Sequence, residues 1–97
     1  MFDKEMNSEI KIEMMKAVSE VLRLKKNNKN ADHESIMVEM DSFIHRVKDK
    51  DSRLMMVVAA SKTLDTLEKN SKMSEKEIMK KLVGEFDSMI DGAKNQD

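Results

Sequence analysis

Three side chains able to hold a cation or pass a proton stand four residues apart: Asp41, His45 and Asp49. On one continuous helix that spacing stacks them on a single face. An imidazole between two carboxylates prefers its protonated form. The same nitrogen and oxygen donors can instead take a divalent cation, and Asp51 is near enough in sequence to join them. The run Asp49-Lys50-Asp51-Ser52 resembles the opening of a calcium loop. No glycine follows it, however, and no glutamate closes the loop at its twelfth position. The face also lies opposite the apolar stripe Ile36, Met40, Phe43 and Val47, so it points to solvent. Exposed ion pairs contribute little to stability, and a solvated, salt-bridged face is the favoured reading. Weak binding of a divalent, calcium-type cation at Asp41, His45, Asp49 and Asp51 is the alternative.

The remaining reactive side chains do not assemble into a catalytic pattern. His33 stands beside Asp32 and Glu34 at a helix start, with no nucleophile placed near it. Ser61, Thr63 and Thr66 are assigned to the charged side of a helix that has no histidine. Met37 and Met40 have i,i+3 spacing but lack the cysteine or histidine that would complete a soft-metal site. The chain has no cysteine, which excludes disulfides, thiolate zinc sites and thiol nucleophiles. Its two glycines, Gly84 and Gly92, form no phosphate-cradling loop. We therefore expect neither an enzyme nor a bound cofactor.

Charge and hydropathy narrow the partners. The formal net charge is −1, whereas nucleic-acid binders normally carry a basic surface. The small basic group Arg23, Lys25, Lys26 and Lys29 fits a helix C-terminus better than a nucleic-acid site, since no aromatics accompany it. No apolar run approaches the roughly 18 residues of a membrane span. Residues Met1 to Ile10 carry three acidic groups and no secretory core. The expectation is a cytoplasmic protein with no nucleic-acid partner and no membrane span.

The elements that must position these side chains are helices. Proline is absent, and no hairpin turn or alternating apolar run is present. In the first segment Met6, Ile10, Met14, Ala17, Val21 and Leu24 form one stripe, widened by Met15, Val18 and Leu22, with Ile12 outside it. A Lys/Asn-rich loop follows, and Asp32 caps the second helix. Asp49 to Asp51 form a short break, with Asp51 as cap of the third helix; without that break the two helices would fuse. Ser74 and Glu77 have the spacing of a capping box, with Met73 and Ile78 as its hydrophobic staple. Gly92 is expected to end the fourth helix. The whole is an all-α, small four-helix bundle, mostly antiparallel and up-down, in one domain of 97 residues. Helices are placed at about 3–26, 32–48, 52–69 and 74–91, capped at the start by Asp3 and followed by a disordered tail over 92–97.

Two features point toward binding. The first half of helix three, Leu54 through Ala60, is apolar nearly all round. It is either sandwiched among the other helices or presents Leu54, Met55 and Val58 outward as a partner interface. The eleven methionines fill a core poor in aromatics, or else lend tolerance to an interaction surface. A non-enzymatic helical interaction module follows, acting by self-association or by binding a helical protein partner. A carrier of an apolar ligand within a methionine-lined bundle is a further alternative.

Overall fold

A computed structural model describes residues 4–94, and the side chains of 8–93. Four helices follow one another: α1 (Lys4–Asn27), α2 (His33–His45), α3 (Lys50–Lys69) and α4 (Glu75–Lys94). Three of the starts are capped by side chains that satisfy otherwise orphaned amides. Asp32 accepts from the Ser35 amide at 2.8 Å. Ser74 and Glu77 form the expected reciprocal box, each amide donating to the other's side chain at 3.2 Å. Met73 packs on the cluster that contains Ile78, which completes the staple.

The break between the second and third helices is real, but it lies earlier than the sequence suggested. α2 ends at His45, and Asp49 rather than Asp51 caps α3. The reason is the residue three positions on. Asp49 reaches Ser52 and accepts from both its amide at 2.9 Å and its hydroxyl at 2.7 Å. Leu54, three beyond Asp51, has no hydroxyl to offer. Val47 misled the apolar count: it packs on the α2 cluster from outside any helix. At the other end, Gly92 does not stop α4, which runs to Lys94 with no glycine at positive φ. Residues 92–94 of the expected tail are thus helical, while 95–97 and the Asp3 cap lie outside the described residues.

Cross-helix neighbours give the directions. Lys11 pairs with Asp87, and Leu22 and Lys26 border Glu75 and Met79, so α4 runs antiparallel to α1. Glu13 and Lys16 face Phe43 and Val47, so α2 is also antiparallel to α1. Glu9 and Ile12 border Asp49 and Ser52, so α3 is parallel to α1. The up-down order therefore holds, but the closest pair is the diagonal one, α1 with α3. Among the described residues α2 and α4 do not touch.

Small side chains account for that diagonal. Ala17 on α1 and Ala59, Ala60 and Thr63 on α3 are completely buried, and the distance between two helices follows the size of the residues at the contact. The interior is consequently two clusters. Ile10, Met14, Val18 and Leu22 face α4 with Met55, Leu82 and Phe86. Ala17 and Val21 face α2 with Ile36, Met40, Met56 and Leu64. Thr63 and Thr66, expected on the charged side of α3, are buried instead. Their hydroxyls donate to the carbonyls of Ala59 at 2.7 Å and Lys62 at 2.8 Å, which removes the cost of burying them.

Two stability measurements test this architecture. Ala60→Leu should destabilise the fold by about 2 kcal/mol through overpacking of the α1–α3 contact, read as a lower denaturant midpoint. Gly84 lies mid-helix, exposed, with open space where a Cβ would stand. Gly84→Ala should therefore raise stability by about 1 kcal/mol in the same assay.

Candidate interaction surfaces

The cation face predicted on the second helix does not assemble. His45 Nδ1 lies 3.4 Å from an Asp41 carboxylate oxygen and 2.9 Å from the Asp41 backbone oxygen, on an exposed surface. Asp49 is beyond the end of α2, and its carboxylate holds Ser52. Asp51 sits in the first turn of α3, where a carboxylate suits the helix dipole. Because the chain leaves the helix after His45, the i,i+4 ladder stops at one pair. Among the described residues no three such groups converge as a metal site needs. His33 opens α2, half-buried beside its cap.

The apolar half of α3 divides between interior and surface. Leu54 is 51% exposed and Val57 41% exposed, with Val58 half-buried against the α4 cluster. Met55, assigned to the same outward side, is completely buried and belongs to the core. The inward side of α3 comprises Met55, Met56, Ala59, Ala60, Thr63, Leu64 and Thr66. Two threonines on that side conceal it from an apolar count, which turns Met55 outward. The outward strip is Leu54 and Val57, edged by Val58.

A second apolar strip lies across the molecule. Ile12 is 53% exposed and Met15 42% exposed on α1. With half-buried Phe43 of α2 they floor an open groove of about 630 Å³, rimmed by Lys16, Glu20 and Arg23. The sequence signal for it was Ile12, which fell outside the α1 stripe. Met14, Met40, Met55 and Met56 belong to the two buried clusters.

Charges on this surface are largely paired. The Arg23 guanidinium donates to Glu20, from Nε at 3.0 Å, and holds that carboxyl below its ordinary value. The Ser35 amide, followed by its hydroxyl, holds Asp32 low as well, helped by the charge of Lys25. Lys25 Nζ also donates to the Ala31 carbonyl at 2.7 Å, so part of the basic group serves the first loop.

Both carboxyls are depressed in the folded state, so their stabilisation is present above the ordinary carboxylate range. It is lost as pH falls through the lowered folded values. The denaturant midpoint should drop between about pH 6 and about pH 3. Asp32→Asn, which keeps a capping oxygen but does not titrate, should lose less over that interval. An equal loss in the variant would assign the acid sensitivity to other groups. The chain itself matches no protein-family model, no curated protein and no solved structure.

Proposed function

We propose that this protein is a non-enzymatic interaction module that pairs the outward strip of α3 with a helix, either of a second copy or of a different protein. The observation that carries the reading is the exposure of Leu54 and Val57 side by side on a helix whose opposite side is wholly buried. Hydrophobic association is non-directional and grows with the apolar area removed from water. Two adjoining exposed aliphatics on a helix give the apolar face of a second helix a row to pack against. The half-buried Val58 provides a shoulder to that strip. Methionine contributes less than its abundance suggests, because among the described residues Met14, Met40, Met55 and Met56 are fully interior and Met15 is the one methionine with a well-exposed side chain.

Photo-crosslinking in cells tests this reading directly. A benzophenone amino acid placed at position 54 should give a covalent adduct, and one at the exposed Val38 on α2 should not. An adduct of twice the chain mass identifies a second copy; another mass identifies a different protein. Absence of any adduct from position 54, or equal adducts from 38, would remove the proposal.

A further inference from the structure

We infer that two copies of this chain pair through α4, antiparallel, about a two-fold axis beside Val83 and Gly84. The inference goes beyond the reading above, whose partner strip lies on α3, by adding a separate self-association face on α4.

Lys76, Lys80, Val83, Gly84, Asp87 and Asp91 are all exposed, and their spacing puts them on one side of α4. Read along the helix, the stripe is two cations, an uncharged centre and two anions. Such a stripe is complementary to itself when one copy is reversed. Lys76 then meets the partner's Asp91, and Lys80 meets the partner's Asp87. Each pair occurs twice, because a two-fold contact is isologous. A parallel pairing in register would bring cation to cation and anion to anion.

Two observations set Lys76, Gly84 and Asp91 apart from what the stability of the single chain asks for. Lys76 lies in the first turn of α4 and Asp91 in the last, each with the wrong sign for the helix dipole. Gly84 is a helix-weakening residue at the midpoint of the stripe. No backbone conformation or neighbouring atom requires it there: its φ is not positive, and a Cβ would meet nothing within 4 Å. A glycine at the centre of a helix pairing lets two backbones approach closely.

The apolar centre extends onto α1. Lys11 pairs with Asp87, so in this antiparallel pair the next turn of α1, at Met15, lies level with Val83. Met15 is 42% exposed and Val83 40% exposed. Asp87 remains 76% exposed despite Lys11, which leaves it accessible to a second cation.

The test is light scattering of the full chain over a concentration series, with charge exchange. The wild type should form a dimer. Lys76→Asp and Asp91→Lys should each weaken it by about tenfold, since either change replaces two attractions with two repulsions. Both changes favour the helix dipole, so neither should lower the melting temperature at dilutions where the wild type is also a single chain. The double variant should dimerise like the wild type, and the two single variants should form a mixed dimer with each other. Gly84→Gln should abolish the dimer while helix content is kept. A single-chain mass at every concentration overturns the inference. So does a dimer indifferent to the α4 changes; if Leu54→Lys dissociates that dimer, self-association through α3 stands alone. A dimer lost in the α4 variants but intact in Leu54→Lys supports α4 and removes α3 as the self-association face.

Discussion

The close approach of α1 to α3 is the constraint from which the rest of the bundle follows. Ala17, Ala59 and Ala60 are completely buried on these two helices and keep the side chains at the contact small. When a diagonal pair closes in this way, the other diagonal must open, and α2 and α4 lie on opposite sides without meeting. The interior is then two wedges rather than one square core. Phe86 and Ile90 occupy the α4 wedge, and Ile36 and Ile44 the α2 wedge. Wedges of uneven width favour unbranched side chains that bend to fit, which gives a physical reason for Met14, Met40, Met55 and Met56 at complete burial.

The same constraint leaves the two central helices each with an outer side. α2 and α4 flank α1 and α3 but cannot also cover them. Ile12 and Met15 emerge on one side of the molecule, and Leu54 and Val57 on the other. In a square bundle each helix has two neighbours and a single outward edge. Here α1 and α3 each have three neighbours and still expose aliphatics, because all three crowd onto the inward half of the helix.

The fold was legible where local chemistry and apolar spacing agreed. Ser74 with Glu77, Met73 with Ile78, and Asp32 before the Ile36 stripe each name a helix start that the structure has. Legibility failed where a residue's role depended on the neighbouring helix. Val47 continues a helical apolar period but packs from a loop. Thr63 and Thr66 look solvent-facing because their hydroxyls are polar, yet each hydroxyl is satisfied by the carbonyl one turn back and the methyl is left to pack. Counting them as polar turns Met55 outward, although its side chain belongs to the core. The cation face failed for a similar reason. The i,i+4 rule assumes a helix through Asp49, and Asp49 is the residue that starts the next one.

The exposed surfaces differ in kind, and the difference bears on what each can specify. The α3 strip is aliphatic, and apolar area confers affinity with little preference for direction. The α4 stripe carries full charges in a fixed order, which confers orientation and register more than affinity. Its placement runs against the dipole of its own helix, whereas Glu75 and Glu77, one position to either side of Lys76, run with it. Within one turn, then, the sequence follows the rule for helix stability at two positions and departs from it at the position on the stripe. A departure confined to one face, repeated with opposite sign at Asp91 and centred on Gly84, is ordered along a line of which the single chain uses only Asp87, through Lys11.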